Sequence, residues 1–286
     1  MARIAIIGGG NMGEALLAGL LRAGRQVKDL VLSEKSSERA EFLSQKYSVR
    51  VASLADAVEN AAYVILAVKP ADVEYIIGEI ANAAGKAADD AVEQVLVSVV
   101  AGVTTGFYES HLPAGSPVIR AMPNAPALVG AGITALAKGR FGTAEQLSEA
   151  AALFECVGSV LIVPEAQIDT VTAVSGSGPA YFFLFLEALV DAGVTNGLSR
   201  TVATELAVQT MAGSVAMLLD RIESGSAAAA GRPDTTAAEL RALVTSPGGT
   251  TAAGLRELER GGVRAAVAAA VDAAKTRSEQ LGITSE

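Results

Sequence analysis

The sequence predicts an α/β fold, with a doubly wound sheet in the first half of the chain and an all-α domain in the second. Short apolar segments alternate with helical stretches over residues 1–165, and buried strands separated by helices imply a sheet covered on both faces. From about Glu165 the chain becomes rich in Ala, Leu and Glu and has few strand-like segments. We therefore expect two domains, residues 1–165 and residues 166–286.

Eight strands are expected in the first half, because each of eight short runs consists mainly of apolar and often β-branched residues. They are residues 3–7, 31–32, 49–51, 63–68, 95–99, 118–122, 133–137 and 160–163. The first strand is followed by glycines and then by a helix over about residues 12–23.

Three long helices are expected in the second half, over residues 179–194, 200–222 and 252–281, the last with a break at Gly261 and Gly262. The segment 225–233 (GSAAAAGRP) is typical of a loose connection between helices. Small residues such as the run 265–270 (AAVAAA) suit close packing between helices and favour an oligomeric role, although the helix propensity of Ala alone also explains them.

Composition excludes several function classes. The net charge of −9 argues against a general nucleic-acid or anionic-membrane binder, and we expect neither partner. Cys156 and His111 are the only residues of their types, which argues against disulfides, a zinc site and a Ser-His-Asp triad. We expect Cys156 to be a buried inert thiol, His111 to be a loop residue, and the chain to hold no metal.

Localisation is expected to be cytoplasmic. The chain begins directly with a strand-like segment and lacks the parts of a signal peptide. No uncharged apolar stretch reaches the roughly 18 residues that suggest a membrane span.

A glycine loop follows the first strand. Gly8, Gly10 and Gly13 form the pattern G-x-G-x-x-G between a strand and a helix, which is the context in which this pattern indicates a Rossmann-type dinucleotide site. The loop also contains Asn11 and Met12, and the free N–H groups of the helix start can face the coenzyme pyrophosphate. A purely structural glycine turn is the alternative.

The choice between NADH and NADPH stays open. Glu34 lies 21 residues after Gly13, where an acidic residue usually accepts from the ribose 2′-hydroxyl and favours NAD. However, Ser33, Lys35 and the serines that follow are suited to a 2′-phosphate, and Glu34 would then have to turn away. We therefore expect NADPH, NADH or both as coenzyme.

Four further segments complete the candidate site. Residues 67–70 end a strand, so that Lys69 and the backbone can border the coenzyme, and residues 120–126 close a later strand with two prolines. Residues 175–181 (SGSGPAY) and 246–251 (SPGGTT) place hydroxyls and glycines before helices. Each is more often a helix cap than a site, but helix-start amides can also hold a substrate carboxylate.

At these segments the sequence closely resembles the pyrroline-5-carboxylate reductase family. The resemblance is carried by residues 8–13, 67–70, 98–104 (SVVAGVT), 120–126, 175–181 and 244–251 (VTSPGGTT), whose order and spacing run through almost the whole chain. It implies an N-terminal Rossmann domain, a helical C-terminal dimerisation domain, and active sites between domains of two subunits. It also implies a homodimer that assembles into a larger ring such as a decamer.

The resemblance also implies the activity, which is reduction of 1-pyrroline-5-carboxylate to L-proline by NAD(P)H, and the site residues. The substrate carboxylate is expected at the backbone of Thr250 and Thr251, with the Thr251 hydroxyl near the ring nitrogen as the catalytic candidate. The other substrate-binding candidates are Glu165, which is a looser match, Ser175 and Gly249. The remaining coenzyme-binding candidates are Ala67, Val68, Lys69, Pro70, Val100, Ala101 and Asn124.

Little acid–base chemistry is expected of the protein, because a protonated imine already attracts hydride and the cofactor supplies the difficult chemistry. Thr251 orients the ring nitrogen or only caps a helix, and Lys69 more plausibly lines the coenzyme than acts as a base. A 3-hydroxyacid dehydrogenase is the alternative enzyme, but it needs an acid–base lysine, and no lysine lies between Lys138 and Lys275. A non-catalytic NAD(P) sensor is the other alternative, and it leaves the SPGGTT turn unexplained.

Overall fold

A computed structural model describes residues 3–84, 93–223 and 236–283. The chain divides into two compact units, one formed by the described residues of Met1–Pro179 and Val271–Glu286, the other by those of Ala180–Ala270. The predicted loose connection at residues 225–233 lies outside the described residues.

The first unit contains an eight-stranded sheet within the described part of the chain. Its strands are β1 (Ile4–Ile7), β2 (Leu30–Ser33), β3 (Arg50–Val51), β4 (Tyr63–Leu66), β5 (Val95–Ser98), β6 (Val118–Met122), β7 (Gly132–Lys138) and β8 (Gly158–Ile162). Their order is β3-β2-β1-β4-β5-β6-β7-β8. The first six are parallel, β7 is antiparallel to β6, and β8 is parallel to β7. The predicted doubly wound sheet and all eight strand segments are confirmed.

Helices of this unit follow the strands. They are α1 (Asn11–Arg22), α2 (Ser37–Tyr47), α3 (Leu54–Val58), α4 (Val73–Ala84), α5 (Thr105–His111), α6 (Ala144–Phe154) and α7 (Ile168–Val171). Because side chains alternate along a strand, Ile4 and Ile6 join one apolar cluster and Ala5 and Ile7 join another. Strand β1 is therefore buried on both faces, as its unbroken apolar run predicts.

The remaining helices are α8 (Gly178–Thr195), α9 (Arg200–Glu223), α10 (Thr236–Leu243), α11 (Thr250–Arg260) and α12 (Val263–Ile283). The three predicted long helices are confirmed, including the break before α12, where Gly262 has φ +76°. Helix α10 was not expected. Within the second unit, Val190 of α8 packs against Ala203 and Ala207 of α9 in a small apolar cluster.

Among the residues that the structure describes, two helical segments are long and apolar enough to cross a membrane by length and composition alone. They are Glu165–Thr195 and Arg200–Glu223, and the most apolar 18-residue stretch of each has a mean hydropathy of 1.4. Only 17% of that stretch is buried in the first segment and 11% in the second. Neither segment is an uncharged stretch, because Glu187 and Glu205 interrupt them. Apolar side chains such as Phe182, Phe183 and Leu184 are exposed, and a large exposed apolar patch is typical of an interaction surface.

Three residues singled out in the sequence can be placed in the structure. Ser175 lies before α8, as expected, but in a π-helical turn, Thr172–Gly176, which is closed by the Ser177 N–H donating to the Thr172 carbonyl at 2.9 Å. His111 is the last residue of α5 instead of a loop residue. Cys156 is only partly buried, and this burial raises the pKa of its thiol to about 11, which agrees with an inert thiol.

Candidate functional site

Gly8 begins the loop at the carboxyl end of β1, between β2 and β4. Its N–H donates to the Ser33 carbonyl at 2.8 Å, and the Ala67 N–H donates to the Ile7 carbonyl at 2.8 Å. Gly8 has φ +99°, and a Cβ there would overlap the Ala67 carbonyl. The position therefore requires glycine for both its backbone conformation and its packing.

Gly13 and Gly10 differ in their surroundings. A Cβ on Gly13 would overlap the Gly8 carbonyl, whereas a Cβ on Gly10 would have no atom within 4 Å. Gly10 is also the residue that precedes α1, and no side chain caps this helix start. The open space above Gly10 and the uncapped N–H groups of α1 fit the pyrophosphate of a dinucleotide.

Glu34 points at the glycine loop and does not turn away from it. Its Oε2 accepts from the Gly9 N–H at 2.7 Å, and its Oε1 accepts from the Ser36 N–H at 2.8 Å. Lys35 instead forms an exposed ion pair with Asp72 at 2.9 Å. Of the residues predicted to discriminate between coenzymes, Glu34 therefore contacts the loop directly and Lys35 is engaged elsewhere.

The ends of β4 and β5 lie beside the glycine loop. The Val68 side chain comes within 3.0 Å of a Cβ placed on Gly8. Lys69 precedes a short 3-10 turn, Pro70–Asp72. The Val100 N–H donates to Ser98 Oγ at 3.2 Å, and the Val100 side chain is buried in the core. Parallel strands thus bring the predicted segments 67–70 and 98–104 to one edge of the sheet.

A buried ionic network lies at β6. Arg120 is 2% exposed, and its Nη2 donates to Asp169 Oδ1 at 3.0 Å. Asp169 Oδ1 also accepts from Ser278 Oγ at 2.7 Å. Glu165 accepts from the Thr105 N–H and hydroxyl, each at 2.6 Å, and its Oε1 lies 3.8 Å from Arg120 Nη1. The carboxylate of Glu165, a predicted substrate contact, is thus engaged in this network.

Asn124 and Ser175 are brought together. Asn124 Nδ2 donates to Ser175 Oγ at 3.3 Å, and Asn124 Oδ1 accepts from the Ile133 N–H at 3.0 Å. A predicted coenzyme contact and a predicted substrate contact are therefore hydrogen-bonded to each other within the first unit.

The second unit carries the turn at residues 246–251. The Gly249 N–H donates to the Ser246 carbonyl at 3.1 Å, and Gly248 has φ +68°. Since Pro247 cannot adopt a positive φ, this is a type II turn with glycine where that turn requires it. Helix α11 begins at Thr250, and no side chain caps it. The N–H groups of Thr250 and Thr251 thus lie at a helix start that suits a carboxylate.

Sequence reasoning missed Arg39, whose Nε donates to the Gly9 carbonyl at 2.8 Å. It also missed Asp169 and Ser278 as partners of Arg120. One signal for Arg39 was present, because a basic residue in the first turn of a helix opposes the helix dipole and so suggests a specific acidic or carbonyl partner.

Two family models match the chain. Residues 3–102, which include the glycine loop, match the model described as NADP oxidoreductase coenzyme F420-dependent. Residues 165–281, which include the turn at 246–251, match the model described as pyrroline-5-carboxylate reductase dimerisation.

Curated relatives match over the full length. The chain is 69% identical over 291 aligned residues to the pyrroline-5-carboxylate reductase of Mycobacterium tuberculosis, with 100% of this chain and 99% of the relative covered. It is 41% identical over 283 residues to the enzyme of the same name from Corynebacterium melassecola, with 99% of each covered.

Solved structures agree with this match. A pyrroline-5-carboxylate reductase from Coxiella burnetii has a TM-score of 0.85 and 33% identity, with 98% of both chains covered. A pyrroline carboxylate reductase from Plasmodium falciparum, solved with NADP bound, has a TM-score of 0.82 and 28% identity, again with 98% of both chains covered.

Proposed function

The chain belongs to the pyrroline-5-carboxylate reductase family, and we propose that its glycine loop binds the coenzyme while the turn at residues 246–251 binds the substrate. It is an NAD(P)H-dependent oxidoreductase that reduces 1-pyrroline-5-carboxylate to L-proline in proline biosynthesis. The observation that carries this assignment is the 69% identity over the whole chain.

The coenzyme site is proposed at the carboxyl ends of β1, β2, β4 and β5. When bound, NAD(P)H supplies the hydride that reduces the C=N bond. The open side of Gly10 lets the backbone approach the pyrophosphate, and the uncapped N–H groups of α1 offset its negative charge. The backbone of Ala67 and Val68, beside Gly8, borders the same space.

The substrate site is proposed at the start of α11. The N–H groups of Thr250 and Thr251 bind the carboxylate, so no arginine is needed, and the Thr251 hydroxyl holds the ring nitrogen. A protonated imine already carries positive charge at the reacting group. The protein therefore contributes mainly by binding and orienting its reactants. Gly249 keeps the turn open, since a larger residue there would approach the Ser246 carbonyl at 3.2 Å.

Glu165 and Ser175 are proposed to support the substrate site through the residues that they contact. The Glu165 carboxylate holds Thr105, and Ser175 accepts from Asn124. Both side chains lie in the first unit, and both belong to hydrogen-bonded groups rather than to isolated polar side chains. Their replacement is expected to change kcat or the substrate KM through these neighbours.

Steady-state kinetics with 1-pyrroline-5-carboxylate and both coenzymes tests the activity and gives the coenzyme preference. We expect saturable oxidation of at least one coenzyme that depends on the imine. Proline-dependent reduction of NAD(P)+ at high pH is expected as the reverse reaction. Its absence, together with tight coenzyme binding, would favour the sensor alternative, and turnover of 3-hydroxyacids would favour the other dehydrogenase.

The chain forms a homo-oligomer, as the dimerisation model over residues 165–281 indicates. We propose that residues 166–286 form the dimerisation and substrate-binding domain, residues 1–165 the coenzyme domain, and that dimers assemble into a ring such as a decamer in the cytoplasm. The exposed apolar side chains of α8 and α9 support a subunit interface. Light scattering after size exclusion should give an even multiple of 28.9 kDa, ten chains for a decamer, and a mass of 28.9 kDa, that of a monomer, would contradict the proposal.

A further inference from the structure

The Gly9 backbone lies at the centre of the glycine loop, and side chains that follow β2 contact both its N–H and its carbonyl. Glu34 Oε2 accepts from the Gly9 N–H at 2.7 Å, and Arg39 Nε donates to the Gly9 carbonyl at 2.8 Å. The two contacts come from residues 25 and 30 positions away in the sequence. A Cβ on Gly9 would lie 2.5 Å from Leu43 Cδ1, so this peptide packs directly onto α2.

Arg39 is itself fixed in place by Glu14 in the first turn of α1. Its Nη2 donates to Glu14 Oε2, while Lys46 and Tyr47 bind Glu14 Oε1 at 2.9 and 2.8 Å. Partial burial would raise the pKa of Glu14, but hydrogen bonds from Lys46, Tyr47 and Arg39 hold it at about 2. Glu14 is therefore an anion throughout the physiological pH range, and it keeps the Arg39 fork oriented toward the loop.

We propose that Glu34 and Arg39 together clamp the Gly9 backbone and so hold the glycine loop in the conformation that receives the coenzyme pyrophosphate. This inference rests on the proposed coenzyme site. The Gly9 backbone links Gly8 to Gly10, so its conformation determines the position of the open side of Gly10 and of the start of α1. A loop without the clamp has to be ordered when the coenzyme binds, and this ordering weakens binding.

The clamp makes a different prediction from a direct charge contact. A positive charge that merely attracts phosphate is retained in Arg39→Lys, but a lysine has one nitrogen and cannot hold the Gly9 carbonyl and Glu14 as the guanidinium fork does. A direct contact with a 2′-phosphate would affect NADPH alone. Fixing the loop affects NADH and NADPH by the same factor, because both coenzymes share the pyrophosphate.

The experiment compares Arg39→Met and Arg39→Lys with wild type. We expect the KM and Kd for both coenzymes to rise about five- to tenfold in each variant, with kcat and the KM for 1-pyrroline-5-carboxylate within twofold of wild type. Lys46→Met is the matched control, because it removes another partner of Glu14 without touching Gly9. It should leave both coenzyme constants within twofold of wild type.

Three outcomes would overturn the clamp. They are normal coenzyme affinity in Arg39→Lys, a loss limited to NADPH, and unchanged coenzyme affinity in Arg39→Met while Gly10→Ala weakens binding. If neither Arg39→Met nor Gly10→Ala changes coenzyme affinity, the proposed coenzyme site itself is wrong. Glu34→Ala provides a second route, since it leaves Arg39 intact and removes the acceptor of the Gly9 N–H; it is expected to weaken the binding of both coenzymes, and unchanged affinity for both would contradict the clamp.

Discussion

Adding one methyl group at two glycines of the same loop should have opposite effects on folding and coenzyme binding. Gly10 has φ −66° and ψ −170°, which any residue adopts, and a Cβ there would have no neighbour within 4 Å. We therefore expect Gly10→Ala to fold. Loss of the favourable glycine at this helix start costs at most about 1 kcal/mol, or roughly 2–4 °C in Tm.

Coenzyme binding should weaken in Gly10→Ala, because the added methyl group occupies the space that the pyrophosphate needs. Loss of one hydrogen bond to a charged group costs about 1.5–3 kcal/mol, which corresponds to about a 10- to 100-fold increase in Kd. Gly8→Ala is the contrasting variant. Because Gly8 has φ +99° and an added Cβ would overlap the Ala67 carbonyl, this substitution destabilises the folded protein.

The assays are coenzyme titration followed by nicotinamide fluorescence and thermal unfolding of the same samples. Gly10→Ala should lose affinity and at most roughly 2–4 °C in Tm, whereas Gly8→Ala should lower the Tm by more than Gly10→Ala does. An unchanged Kd in Gly10→Ala would refute the reasoning, because the open side of Gly10 would then not face the coenzyme.

Three further predictions concern single side chains. Thr251→Ala should reduce kcat/KM for the imine by at least ~10-fold, about 1.4 kcal/mol, while Thr251→Ser should retain most of it; near-normal turnover in the alanine variant would remove the hydroxyl from the mechanism. Glu34→Ala should weaken the binding of both coenzymes through loss of the Gly9 contact and in addition shift the ratio of kcat/KM values toward NADPH, because a negative charge near the 2′ position is lost; an unchanged ratio counts against the second role. Folding lowers the pKa of Glu14 from 4.5 to about 2, so its stabilisation is complete above about pH 4.5 and is lost as the pH falls through 2. Urea unfolding of Glu14→Gln should therefore show a smaller loss of stability over that pH range, by about 1–2 kcal/mol, and an identical pH profile would contradict it.

The strands could be predicted from the sequence because they are short apolar runs, and β1, β4 and β5 are buried along their whole length in the parallel part of the sheet. Strand β1 shows this most clearly, since Ile4 to Ile7 are all buried. The type II turn could also be inferred locally, because Pro247 and Gly248 occupy the positions that this turn favours. Helix α10 was missed because it directly follows the segment that the sequence presents as a loose connection.

Contacts between distant segments could not be predicted. The hydrogen bond from Ser278 to Asp169 joins residues 109 positions apart, and no local pattern indicates it. Arg39 and Glu34 meet at Gly9 only because α2 packs back over the glycine loop. Likewise, Ser and Gly before α8 favour caps and turns, but nothing in the local sequence indicates the π-helical turn that contains Ser175. Tertiary packing decided each of these positions.

A crystal structure with NADP+ and L-proline bound tests the central claim most directly. The account predicts the coenzyme pyrophosphate against Gly10 and the start of α1, and the proline carboxylate within hydrogen-bonding distance of the N–H groups of Thr250 and Thr251. A proline carboxylate bound to side chains elsewhere, with the turn at residues 246–251 free, would contradict it.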